Sequence, residues 1–378
     1  MFDYELLRLI WWMLIGVLII AFAITDGFDM GVATLVPIIG NTEAQRRVMI
    51  NTVAPHWDGN QVWLVTAGGA IFAAWPQVYA TAFSGFYIAM ILTLAVLWLR
   101  PLAFDFRSKM EDSLWKNTWD WALCISGFVP PIIFGVAFGN LLQGVPFRFD
   151  ELMMIHYEGS FWELLNPFAL LCGVMSLAMF TAHGAIWLQM KTRRELHRKS
   201  GMVAILCALL VLVLFVIAGF WIQSMNGYSI SSVLDMDAVS DPTKKTVAVA
   251  AGSWMHNFEQ YHFMWIAPCL AVAGALLTMV SAWLERGGMA FFCSVLMIAG
   301  IILTAGFSMF PFIMPSDLLP AHSLTLWDAT SSYNTLSVMA IVACIFVPIV
   351  LLYTIWCYSR MFGRIDEQFI EDNTHSLY

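Results

Sequence analysis

Carboxylates and imidazoles set among long apolar runs are the groups in this sequence that could do chemistry. An ionisable side chain in lipid is costly and is usually kept there for a relay, a pathway or a paired contact. Thr25-Asp26-Gly27-Phe28-Asp29-Met30-Gly31 places two carboxylates three residues apart, on one face of a helix, with glycines that would let another backbone come close. Ala54-Pro55-His56-Trp57-Asp58-Gly59-Asn60-Gln61-Val62-Trp63 is the densest polar and aromatic segment, and its His, Asp, Asn and Gln together could hold water and relay protons. Asp120 opens one later apolar run and His183 stands within another. Plainer roles exist for each: Asp26 and Asp29 could cap a helix end among headgroups, Asp58 could be an N-cap, and Trp57 and Trp63 could be interfacial belt residues. Spacing alone leaves both roles open.

A second cluster comprises Pro311, Pro315, Ser316, Asp317, His322 and the run from Ser323 through Asp328 to Ser332. Turn chemistry and a helix N-cap account for Asp328 and its Ser and Thr neighbours. His256, Glu259 and His262 are equally ambiguous, and none of these residues is assigned a catalytic role. Haem ligation wants His, Met or Cys inside a bundle. The histidines in or beside apolar runs are His183, His56 and His262, and no run carries two of them a membrane thickness apart. The chain alone is therefore expected to hold no haem. The 23 methionines suit core and lipid-facing filler, and the seven cysteines, with no CxxC pair, suit small apolar positions.

The elements that must position these groups are membrane spans. Of 378 residues, 60% are hydrophobic and 12% charged, and the mean hydropathy is +0.75; a soluble domain carries about 25% charged residues. The net charge of -8 speaks against a nucleic-acid partner, and the lipid bilayer is the partner that composition demands. Crossing the hydrocarbon takes about 20 apolar residues. Runs free of Asp, Glu, Lys and Arg cover 9–25, 59–99, 121–147, 164–190, 200–234, 260–284, 287–316 and 329–359. The second is twice one crossing, with Trp75-Pro76 near its middle, so it predicts a helical hairpin. The expectation is an all-α polytopic bundle of about nine transmembrane helices, one membrane domain over 1–378. No cleavage site closes the first apolar run, which is expected to be retained. Pro130-Pro131 predicts a kink or local unwinding, and the polar stretch 223–260 predicts a short extramembrane element.

Nine spans put the termini on opposite sides. All 18 Lys and Arg except Arg8, Arg148, Lys244 and Lys245 then fall on the C-terminal side. By the positive-inside rule that side is cytoplasmic, with the N-terminus periplasmic. Asp26 and Asp29 are then expected at the cytoplasmic end of span one, His56 and Asp58 at the start of span two, and Asp120 at the opening of span four. A secondary transporter or a purely structural assembly subunit is the alternative that spacing leaves open.

Four stretches carry a resemblance to a known family: the Thr25–Gly31 and Pro55–Trp63 segments, Phe138-Gly139-Asn140-Leu141-Leu142-Gln143-Gly144-Val145-Pro146, and Leu326-Trp327-Asp328-Ala329-Thr330-Ser331-Ser332. Together with the tail Asn373-Thr374-His375-Ser376-Leu377-Tyr378 they resemble subunit II of the cytochrome bd quinol oxidases, closest to the enterobacterial bd-II type. The resemblance implies two four-helix bundles plus a peripheral helix, in a bacterial inner membrane. It implies a partner, subunit I, that carries haem b558, haem b595, haem d and the quinol site, with quinol and dioxygen as substrates of the complex. A small accessory membrane subunit and a structural quinone in this chain are further implications. It also associates Asp58 with proton passage from the cytoplasm, Trp63 with an oxygen passage, and Asp26, Asp29 and Asp120 with proton access or integrity of the haem-bearing core; His56 is expected to assist Asp58.

Overall fold

The computed structural model of the chain describes residues 3–361 and 363–372. The tail stretch 373–378 lies outside the described residues. The helices are α1 (Tyr4–Ile39), α2 (Glu43–Val53), α3 (Trp57–Ala74), α4 (Pro76–Gly85), α5 (Tyr87–Leu97), α6 (Leu99–Phe106), α7 (Ser113–Gln143), α8 (Pro167–Lys191), α9 (Arg194–Ser224), α10 (His256–Gln260), α11 (Ile266–Trp283), α12 (Gly287–Met309), α13 (Tyr333–Arg360) and α14 (Glu367–Asp372). Local chemistry sets several ends. Asp3, Asp112, Asn166 and Ser332 cap α1, α7, α8 and α13 by accepting from orphan backbone amides. Pro76, which has no amide hydrogen to donate, separates α3 from α4.

The long helices fall into two groups. α8, α9, α11 and α12 pack in a closed ring, each on the next; α1, α3, α5 with α6, and α7 make the second group, joined to the first through α1 and α7 on α8. α13 lies at the periphery, mainly against α1 and α3. This matches two four-helix bundles and a peripheral helix. Glycine makes the central joint possible: a Cβ on Gly31 would stand 2.0 Å from the Phe180 carbonyl oxygen, and one on Gly184 2.5 Å from the Gly31 carbonyl carbon. α1 and α8 thus touch backbone to backbone.

Among the described residues, eight helices are long and apolar enough to cross a membrane, with Tyr87–Lys109 counted as one. The ninth expected span is α3, whose first turn holds Asp58, Asn60 and Gln61 and which is not among the eight. Its contacts show what it does. Asn60 meets Asp29 at one end, while Ala73 and Ala74 accept hydrogen bonds from Ser331 at the other. The chain then returns so that Arg100 meets Asp26. The segment 59–99 is therefore a hairpin.

Four local expectations need correction. α1 does not end near Asp29; it continues ten residues to Ile39, because Met30–Val36 is fully buried between neighbouring helices. Asp120 does not open its helix, which starts at Ser113 under the Asp112 cap. Pro130 and Pro131 sit inside α7 without unwinding it. Asp328 does not cap α13: it forms an ion pair with Lys245 at 2.8 Å and accepts from the Thr325 amide, while its neighbour Ser332 is the cap. The 223–260 stretch does hold an extramembrane element, an antiparallel hairpin of Asn226–Ile230 with Val247–Ala251.

Candidate functional site

The buried acids of α1 face α3, α6 and the end of α13. Asp26 is fully buried and pairs with Arg100 of α6 at 2.5 Å. One turn on, Asp29 accepts from the Asn60 Nδ2 amide at 2.7 Å. Asn60 Oδ1 in turn accepts from the Tyr358 hydroxyl at 2.6 Å. This chain of bonds joins three helices that are remote in sequence. It is also incomplete: Asp26 Oδ2, Asp29 Oδ1 and Arg100 Nε and Nη2 are buried without a hydrogen-bond partner among the described residues. Buried polar groups are almost always bonded, so four such atoms in one cluster mark a place for water or for groups from outside the chain.

An aromatic wall closes the cluster toward α8. The Tyr358 ring stacks on His56 with centroids 4.5 Å apart and planes at 6°, and Trp187 stands edge-on to both. Phe28 stacks on Trp187 at 4.0 Å, and Trp187 Nε1 donates to the Thr52 carbonyl. His183 lies beside this wall, 0% exposed. One of its ring nitrogens bonds Ser294 Oγ at 2.8 Å and the other bonds the Ile24 carbonyl at 2.9 Å. With both nitrogens engaged, His183 does not fit axial ligation of a haem.

Asp58 does not join the cluster. It is exposed, whereas Asn60, two positions on and about 200° around the helix, points inward. His56, which precedes the helix, is also buried. The first turn of α3 thus divides the segment: His56 and Asn60 inside, Asp58 outside. Trp63, one turn further, is partly buried against a core containing Phe22, Ala23, Met30 and Leu97.

Asp120 belongs to a different assembly. Both its oxygens are engaged, by Arg107 Nε at 2.6 Å and Nη2 at 3.2 Å and by Arg46 Nη1 at 2.9 Å. Arg107 also grips Glu43 through two bonds, and Lys116 reaches Glu43 at 3.4 Å. Burial raises the affinity of Glu43 for its proton, but Arg107 and Lys116 outweigh it and hold the carboxyl below its ordinary range.

Several participants escape sequence reasoning. Arg100 ends an apolar run and counts there only as a basic loop residue; its partner, Asp26, is 74 positions away. Tyr358 closes a span whose composition is uniformly apolar. Arg8 is fully buried: it bonds the Met236 and Ala238 carbonyls, Ser240 and Thr330, and so straps the loop after Ile230 to the N-terminal end of the bundle. The available signal was that Arg8 and Lys245 belong to the four cations, with Arg148 and Lys244, that fall apart from the other fourteen.

Comparison with known proteins agrees with this architecture. The chain is 58% identical over 378 residues, all of both sequences, to a protein named probable cytochrome oxidase subunit 2 from Haemophilus influenzae. It is 56% identical, again over the whole of both sequences, to the cytochrome bd-I ubiquinol oxidase subunit 2 of Escherichia coli. A more distant relative, the cytochrome bd ubiquinol oxidase subunit 2 of Bacillus subtilis, is 32% identical across 95% of this chain and 97% of its own length. In fold it is similar to a chain of the bd oxidase from Geobacillus thermodenitrificans, with a TM-score of 0.69 at 15% identity, covering 94% of this chain and 98% of that one. The profile of the family described as cytochrome bd terminal oxidase subunit II matches residues 7–361, and the chain belongs to that family.

Proposed function

We propose that this chain is the non-haem subunit of a membrane complex that oxidises quinol and reduces dioxygen to water, and that it supplies Asp58 to a proton route along its contact with subunit I. The observation that carries this is the outer face of α3. Asp58, Val62, Val65, Gly69 and Phe72 are exposed at spacings that place them on one side of the helix. Facing lipid, a carboxylate there would be costly; against a polar patch of a partner it is held and usable. The four unpartnered atoms of Asp26, Asp29 and Arg100 lie on the inner side of the same turn and support proton access at this end.

Haem b558, haem b595 and haem d belong to subunit I on this reading, in keeping with His183, whose two ring nitrogens are both engaged within the chain. Those groups supply the electron transfer to dioxygen. This chain holds protons at carboxylate oxygens and presents them at the interface, and Trp63 adds an apolar wall suited to oxygen passage. The end bearing Arg46, Arg100, Arg107, Lys191 and Arg193 is assigned to the cytoplasm, and the N-terminus to the periplasm, of a bacterial inner membrane.

The test is oxygen consumption by the assembled complex. Asp58→Asn is expected to lower quinol-driven turnover at least tenfold with an unchanged haem spectrum, and Asp58→Glu to retain more activity. Full turnover of Asp58→Asn across pH would remove the proton role. Loss of the haems would make Asp58 a contact between subunits instead.

A further inference from the structure

α13 presents an unusual combination. Among its described residues only Leu336 is buried, yet its final turn places Tyr358 in the aromatic wall of the acid cluster, stacked on His56 and edge-on to Phe28 and Trp187. Beyond it the chain stays tied down. Lys191 Nζ donates to the Met361 carbonyl, and the Ile365 amide donates to the Lys191 carbonyl. Little packing along the helix explains why this end is held so firmly. The Tyr358 hydroxyl, which donates to Asn60 Oδ1 at 2.6 Å, joins those two bonds as a polar contact at this end.

The chemistry of an amide gives that bond a purpose. An ionised carboxylate only accepts, so Asn60 must turn its NH2 toward Asp29, which leaves its oxygen in need of a donor. The hydroxyl provides one. When Asp29 carries a proton, a half-turn of the Asn60 amide lets the bonds run the other way: Asp29 donates to the amide oxygen, and the amide NH2 donates to the tyrosine oxygen. A phenol serves both directions because it donates and accepts. A phenylalanine would serve neither, while keeping the ring stack.

We propose that Tyr358 is a positioning residue for Asp29: it holds the Asn60 amide in register with the carboxyl in both of its protonation states. The proposal rests on the reading that protons reach the complex at this end of the bundle. The charged and titratable groups around Asp29 are Asp26 on its own helix, Arg100 on α6, His56 before α3, and His183 and Lys191 on α8; none of these donates to Asn60 Oδ1.

The assembled complex bearing Tyr358→Phe tests it, with two readouts. One is quinol-driven oxygen consumption. The other is the infrared carboxyl band that disappears from the oxidised-minus-reduced difference spectrum in Asp29→Asn. Tyr358→Phe is expected to shift that band and lower turnover roughly fivefold, the loss of about one hydrogen bond, with normal haem content. An unshifted band with full turnover would overturn the proposal, and so would loss of the haems in Tyr358→Phe, which would make the hydroxyl a folding contact only. Asp58→Asn measured in parallel separates the two claims. Full turnover of Asp58→Asn beside a shifted band in Tyr358→Phe would sink the interfacial route and leave Tyr358 in place.

Discussion

Two buried acid clusters stand in and beside the helical group of α1, α3, α5 with α6, and α7, and they differ in one respect. Around Asp120 every carboxylate oxygen is engaged: two arginines converge on it, and Arg107 continues to Glu43. Around Asp26 and Asp29, the one guanidinium pairs with Asp26 alone, Asp29 has only the Asn60 amide, and four polar atoms have no partner among the described residues. The first arrangement is a tie between α2, the turn that follows α6, and α7, with its charge compensated. The second has one negative charge too many when both acids are ionised, and open valences besides. Pairing, more than burial, separates a carboxylate that holds the fold from one that can exchange a proton.

The largest expected effect falls on the compensated cluster. Asp120→Ala leaves Arg107 and Arg46 without the carboxylate between them, and removing one partner of a buried pair costs about 3–5 kcal/mol. The complex is expected to lose its haem spectrum at a markedly lower temperature than the unaltered protein. Retention of the original thermal midpoint would erase the distinction between the clusters.

A smaller effect belongs to the rim of the same cluster. Glu43 is 44% exposed, so Glu43→Gln is expected to cost no more than about 1 kcal/mol. Because its carboxyl is held below the ordinary range, its contribution is present above the unfolded-state value and is lost as pH falls through the folded-state value. The gap in thermal stability between the unaltered complex and Glu43→Gln should therefore be seen at neutral pH and close as the solution is acidified below about 4. A gap that widened on acidification would mean that the salt bridge is not its source.

Much of this was legible in one dimension, for a physical reason: backbone groups in lipid must be satisfied within a helix, so runs without charge translate into spans. The hairpin at Trp75-Pro76 followed from run length and from proline's missing donor. The acids of Thr25–Gly31 and Pro55–Trp63 stood out because charge in such runs is rare. Partners were harder to see. Asp29 suggested a helix end because an acid usually marks the headgroup level, yet Arg100, Asn60 and dense packing let α1 continue to Ile39. Tyr358 gave no signal, since its importance comes from a helix crossing that brings it to Asn60, 298 positions away. Nor does periodicity in so apolar a segment announce that Asp58 and Asn60 face opposite ways; that depends on which side of α3 its neighbours occupy.

The contrast between the clusters is tested most directly by neutralising one acid in each. Asp29→Asn and Asp120→Asn are nearly isosteric, so the complex bearing either can be scored at once for haem content and for quinol-driven oxygen consumption. Asp29→Asn is expected to keep its haems and lose most of its turnover, while Asp120→Asn is expected to lose haem and turnover together, at a lower temperature than the unaltered complex. Full turnover in Asp29→Asn, with haem intact, would contradict the assignment of proton exchange to the underpaired cluster.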